Sequence, residues 1–190
     1  ILLSLVGSEM CIRDRTTVND SYDAPNGGDL TVATSITSSS GNDLTLIASD
    51  QLTSSYGENI SLTGNLNLTA GPGGIQTIGD IDVGSNTITS NSGGSAIYVG
   101  DVTAGNLSLT TTETGSIIQS TKFNGGELNL VTNNGNVEVT ASSGDLSIGS
   151  ISLGSGSATI EASSGTINDA ASDTTAVSYT HLTLPTNDVV

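Results

Sequence analysis

The chain is poor in the residues from which most active sites are built. Among 190 residues there is no Trp, and there is one Phe, one Cys, one Met, one His and three Lys or Arg in total. A single Cys excludes a disulfide scaffold, although it does not separate an oxidising from a reducing compartment. The shortage of bases against 19 acids sets the formal net charge at −16. That balance argues against nucleic-acid backbones and anionic membranes as partners, since both attract Lys and Arg. No apolar run reaches the roughly 18 residues of a membrane-spanning helix, so membrane insertion is not expected. Gly, Ser, Thr and Asn dominate the composition; all are poor inside helices, and no stretch shows helical periodicity.

Most of the scarce residues sit at the two ends. Met10, Cys11, Arg13, Arg15 and His181 fall in segments that share neither composition nor period with the rest. Leu5–Arg15 reads LVGSEMCIRDR and Val177–Thr186 reads VSYTHLTLPT. Both resemble translated frames of the transposase adapters used in shotgun sequencing libraries; the codons CTC GTG GGC TCG GAG ATG TGT ATA AGA GAC, for instance, give LVGSEMCIRD. Such scars stand outside fold reasoning. The expected division is therefore 1–15 and 176–190 adapter-derived and outside any repeat lattice, with 16–175 an internal stretch of a longer protein. A redox site at Cys11 or a Ser178–His181 nucleophile pair would belong to the adapter. Without Glu9, Asp14, Asp188 and the two arginines, the central stretch carries sixteen acids against Lys122, a net charge of −15.

The central stretch, about 160 residues, has the usual size of one domain. Its low complexity raises disorder as a rival reading, but its few apolar residues are placed regularly. A motif of a turn residue, a polar residue and then apolar–polar–apolar recurs nine times. It reads GDLTV at Gly28–Val32, NDLTL at Asn42–Leu46, GNLNL at Gly64–Leu68, GDIDV at Gly79–Val83 and GNLSL at Gly105–Leu109. It continues as GELNL at Gly126–Leu130, GNVEV at Gly135–Val139, GDLSI at Gly144–Ile148 and GSISL at Gly149–Leu153. Period two marks a strand with one buried face. The apolar pairs from Leu30 and Val32 to Leu146 and Ile148 are expected to face inward. Thr31, Thr45, Asn67, Asp82, Ser108, Asn129 and Glu138, which lie between them, are expected to face solvent. The Gly, Asn and Asp ahead of each strand are expected to supply turns, including positive φ.

No single repeat can bury its own apolar face, and stacking makes one narrow continuous core. The fold expected is all-β, a parallel β-helix or β-solenoid of stacked short strands. At roughly 20 residues per coil it would hold about eight coils, in a rod on the order of 40 Å long. An antiparallel sandwich also uses short alternating strands, but it has no need for self-similar ones. The spacing is uneven: Leu128, Val137 and Leu146 are 9 apart, whereas Leu44 and Leu66 are 22 apart.

The GNLNLTA and GNLSLTT units, each followed by Gly and Ile, resemble the degenerate repeats of filamentous-haemagglutinin-type exoproteins, and autotransporter passenger domains look similar. The resemblance spans most of Asp29–Asp169. It implies a right-handed parallel β-helical shaft, a secreted or outer-surface location in a bacterium, a role in adhesion, and a glycan or protein ligand on a host or environmental surface. Neighbouring coils of the same parent chain are the other expected partners.

Polysaccharide lyases and glycosidases also use parallel β-helices. An acidic-sugar lyase needs a base and cations to offset the substrate carboxylate, and the central stretch offers one Lys and no Arg or His. A glycosidase needs only paired carboxylates. Asp80 and Asp82 flank Ile81 and would point outward together, as a solvated face or as a weak Ca²⁺ site. Lys122 and Phe123 are expected on a loop between strands, with Phe123 as a plug over a coil or as a partner contact. Three sequons begin at Asn59, Asn67 and Asn106. The run Thr110–Thr112 suggests an ice-binding ladder, but Thr-x-Thr is not sustained coil after coil. No catalytic, cofactor or metal residue is assigned, and no cofactor is expected. The reading is a non-enzymatic shaft. The alternative is part of a carbohydrate-active β-helix enzyme whose catalytic residues lie elsewhere.

Overall fold

In a computed structural model of the chain, the described residues are 2–3, 28–55, 58–94, 96–114, 117–141 and 145–170. They form one parallel sheet of sixteen strands, wound into a β-solenoid of about 6 turns. Strand β1 (Leu2–Leu3) lies beside the first coil, which holds β2 (Leu30–Val32), β3 (Ile36–Ser38) and β4 (Leu44–Ile47). The second coil holds β5 (Gln51–Ser54), β6 (Ile60–Leu62) and β7 (Leu66–Ala70). The third holds β8 (Gly74–Ile78), β9 (Ile81–Asp82) and β10 (Thr87–Ser92). Coils four and five are each one bent strand, β11 (Ala96–Thr114) and β12 (Ile117–Asn133). The sixth holds β13 (Val137–Ala141) and β14 (Leu146–Ser152), and β15 (Ala158–Ala162) and β16 (Ile167–Asp169) follow.

Parallel pairing of equivalent strands makes three walls. Leu30, Leu52, Ile75 and Ile97 pair in succession along the first. Ile36, Ile60, Ile81, Val102 and Phe123 do so along the second. Leu44, Leu66, Ile88, Leu107, Leu128 and Ile148 do so along the third. All sixteen motif residues expected inside are buried. None of the seven polar residues expected outside is buried. The register is set by that alternation, because a one-residue slip would turn every apolar side chain outward.

The walls explain the uneven spacing. Leu44 and Leu66 are equivalent positions one coil apart. Leu128, Val137 and Leu146 are successive strands on the third, first and third walls. A coil therefore takes 21 or 22 residues at most positions, as from Leu107 to Leu128 and from Leu44 to Leu66. The rod has about 6 turns rather than eight, since the coils are longer than 20 residues and the residues flanking 28–170 are not described.

Four further expectations are corrected. GDLSI and GSISL are not separate strands but one, β14, bulged at Gly149: Leu128 pairs with Ile148 and Asn129 with Ser150. The extra residue lets both Ile148 and Ile151 point inward. Phe123 is not on a loop. It sits within β12 above Val102 and is 0% exposed. Its ring lies over Gly125, where an added Cβ would come within 2.7 Å of the ring atom Cε2. One aromatic thus fits a narrow core where the next inward residue has no side chain.

The motif glycines also act differently from expectation. Gly28 has positive φ (94°), whereas Gly64, Gly79, Gly105 and Gly126 do not. A Cβ on Gly64 would lie 2.5 Å from the backbone carbon of Asn42, and one on Gly126 would lie 2.7 Å from the carbonyl oxygen of Gly105. These glycines let one coil approach the coil beneath it. Finally, Leu2–Leu3 do join the lattice, pairing in parallel with Thr31–Val32. An open strand edge accepts a nearby extended segment whatever its origin. Leu5–Arg15 and Ala176–Val190, expected outside the lattice, fall outside the described residues.

The apolar core is interrupted on the third wall. Leu46, Leu68, Ser90, Leu109 and Leu130 share one inward row, and Ser90 is 0% exposed. Among the described residues, the hydroxyls of Ser90 and of Thr111 on the next coil have no hydrogen-bond partner. Ser90→Ala should leave stability unchanged or raise it by up to about 1 kcal/mol, because it removes an unpaired buried hydroxyl. Leu109→Asp should cost several kcal/mol (order of magnitude), as an unpaired charge in the same row. Urea unfolding of the two variants checks both, and a Ser90→Ala loss comparable to that of Leu109→Asp would refute the assignment.

Candidate functional site

The concentrated chemistry of this chain lies at the corners. In six of the motifs, the Asn or Asp just before the first inward residue accepts a backbone N–H from the next coil. At the corner entering the first wall, the N–H of Gln51 donates to Asp29 Oδ1 (3.2 Å) and that of Gly73 to Asp50 Oδ1 (2.7 Å). At the corner entering the third wall, the N–H of Asn65 donates to Asp43 Oδ1 (2.8 Å) and that of Thr87 to Asn65 Oδ1 (3.0 Å). The second-wall corner carries the longest run. The N–H of Asn59 donates to Ser35 Oγ, that of Asp80 to Asn59 Oδ1 and that of Asp101 to Asp80 Oδ1, each at 3.0 Å.

A corner needs this bracket because the chain turns out of the sheet there and its N–H groups lose their strand partners. An amide or carboxylate oxygen on the coil below restores one bond. Asn134 and Asn136 repeat the arrangement near the far end, accepting the N–H groups of Ser155 (2.8 Å) and Ser157 (3.0 Å). Asn134 is the non-Gly residue with positive φ (61°) among those described, a conformation that Asn tolerates better than most side chains.

The sequence candidates take their places in this framework. Asp80 and Asp82 are both exposed, as expected. Asp80 brackets Asp101, and Asp82 Oδ1 accepts the N–H of Gly84 (2.9 Å). The two carboxylates lie on one wall and each already holds backbone; they do not face each other across a cleft. Among the described residues, no group of three or more His, Cys, Asp or Glu could hold a metal ion. The Lys122 ammonium lies 3.8 Å from Asp101 Oδ2, with both side chains about half exposed (57% and 48%), so the pair adds little stability. Lys122 and Phe123 are neighbours in sequence but face opposite ways, the first outward and the second into the core. Of the sequon residues, Asn59 is engaged in the bracket run, and Asn67 and Asn106 lie within the strands β7 and β11. The candidates Cys11, Ser178 and His181 fall outside the described residues.

Asp145 is held below the usual carboxylate range, first by the N–H of Thr166 (2.9 Å) and then by the Thr166 hydroxyl (2.9 Å). Sequence reasoning identified the turn residues but not their inter-coil role. The signal was there, an Asn or Asp at the second position of seven of the nine motifs, but its partner becomes visible only once the coil length is known.

No family model, no curated protein and no solved structure matches this chain.

The brackets make two testable demands. Asn65→Ala should cost about 1 kcal/mol, the loss of one hydrogen bond to a backbone N–H, while Asn65→Asp, which keeps the acceptor, should stay within about 0.5 kcal/mol of the parent. Equal losses in denaturant titrations would show that the oxygen is not what matters. For Asp145 the folded pKa is depressed, so its contribution is complete above the ordinary carboxylate range and is lost as pH falls through the lowered value. Asp145→Asn keeps the oxygen but cannot titrate. Its melting temperature should fall less than the parent's between about pH 5 and pH 2, and superimposable pH profiles would contradict the assignment.

Proposed function

We propose that residues 16–175 are a length of shaft from a bacterial secreted or cell-surface adhesin, acting as spacer and display scaffold and not as a catalyst. The observation that carries this reading is the same bracket recurring at all three corners, with Asp29, Asp43, Asp50, Asp80 and Asp145 all engaged by backbone N–H groups. Carboxylates committed to holding coils together suit a rod better than a reaction centre. The repeat resemblance to filamentous-haemagglutinin-type exoproteins supports the same reading. The ligand would be a surface glycan or protein met by the parent molecule. On this reading the end segments come from the sequencing adapter, and the raw nucleotide read tests that directly.

The competing reading is part of a carbohydrate-active β-helix enzyme whose catalytic residues lie outside this stretch. Recovering the flanking gene sequence separates the two. A secretion domain upstream or an outer-membrane barrel downstream is expected. A flanking coil that clusters Asp, Arg and Lys, together with polysaccharide cleavage by the full protein, would overturn the shaft.

A shaft segment cut from its neighbours exposes strand edges at its first and last coils. Its −15 charge opposes association, and salt screens that repulsion beyond about 8–10 Å. Residues 16–175 expressed alone should therefore self-associate more as ionic strength rises, and less when neighbouring parent coils are added. Sedimentation at two salt concentrations checks this; a monomer at both, with a cooperative melt, would mean that the ends are closed.

A further inference from the structure

The third wall carries two outward rows with no acid or base in them. Its central outward row runs Thr45, Asn67, Thr89, Ser108, Asn129 and Ser150, one residue per coil in continuous pairing. A second row lies two residues further along each strand, from Ile47 to Ser152. Neither row contains any of the thirteen acids among the described residues or Lys122, although Glu127 flanks the central row on the same wall and accepts from the Asn129 amide (3.0 Å). The hydroxyl and amide side chains of both rows from Thr45 to Thr110 have no hydrogen-bond partner within the described residues, whereas the comparable groups at the corners are engaged. Val131, the one large hydrophobic residue exposed among those described, at 40%, lies in the second row.

We propose that this wall is an ice-binding face. Parallel strands repeat at about 4.8 Å along the rod, and residues two apart on a strand repeat at about 6.7 Å across it. The array is therefore two-dimensional, with repeats close to those of oxygen atoms on a prism face of hexagonal ice. Hydroxyls and amides donate and accept as water does, and the methyls of Thr, Ile47 and Val131 fill the space between them without competing for hydrogen bonds. Charges would impose their own hydration on that layer, and the two rows contain none, with Glu127 at their flank. The backbone beneath is fixed on both sides by pairing, so little ordering is needed on contact. Thr-x-Thr is not sustained from coil to coil, and Ser and Asn continue the rows where Thr lapses.

Two other occupants fit less well. The two rows cover roughly 300 Å² at these spacings, below the ~800 Å² per partner of a standard protein interface, which disfavours a second copy. A glycan chain usually stacks on aromatic rings, and neither row has one. A growing crystal continues past the footprint of what it adsorbs, so a small face suffices.

The full chain tests this by partition into a slowly grown ice hemisphere and by the freezing hysteresis of a single seeded crystal. Enrichment in the ice with a measurable hysteresis gap is expected. Thr89→Lys and Asn91→Lys, at the centre of the two rows, should abolish both, while Thr53→Lys on the first wall should abolish neither; a melt and circular dichroism confirm that each variant is folded. Asn91 is exposed, so its substitution keeps the test usable if Thr89→Lys fails to fold. Exclusion of the parent from ice overturns the proposal. So does equal loss with Thr53→Lys. Unchanged ice partition in the wall variants overturns it too, and if sedimentation or glycan binding changes instead, the wall docks a second copy or a saccharide.

Discussion

Everything in this molecule follows from the strand spacing of about 4.8 Å between one coil and the next. Along the walls that distance is natural to parallel pairing. At the corners it is a demand, because the backbone leaves the sheet yet must remain as close to the coil below. Two kinds of residue meet it. Glycines such as Gly64 and Gly126 remove the Cβ that would strike the backbone beneath, and an Asn such as Asn65, beside Gly64, accepts a backbone N–H from the coil above. The recurring Gly-Asn and Gly-Asp pairs are the sequence form of one distance.

The same distance explains the restricted core. Inward side chains stack on near-identical neighbours, so aliphatic residues of one length succeed each other, as Leu66, Ile88, Leu107 and Leu128 do. Larger groups need local compensation. Phe123 is accommodated beside Gly125, and the extra residue of β14 is absorbed as a bulge at Gly149. Each shifts the pairing register locally, beside Phe123 with β13 and at Gly149 with β14, and the effect stays near by because each coil contacts only the one above and the one below.

The parts of the fold legible in sequence were those governed by local alternation. Leu68 and Leu109 are buried because period two puts them inside, and no knowledge of the coil was needed to say so. What needed the coil stayed hidden. Asp80 read as a solvated carboxylate because its partner, the N–H of Asp101, is 21 residues away. Ser90 lies in TITSNS, which lacks the apolar motif, yet its backbone alternates in step with Leu68 and Leu109. The uncharged rows of the third wall were invisible for the same reason: Thr45, Asn67 and Thr89 form a row only after the strands are aligned.

The buried Ser90 has a mechanical meaning. A solenoid pulled by its ends yields coil by coil, each releasing about 21 residues and roughly 70 Å of contour length. The force at each step reflects the cohesion of one coil with the next. Where a leucine row is interrupted by a hydroxyl, less apolar surface is shared with the coils on either side, so the third coil draws less of its cohesion from that row than its neighbours do.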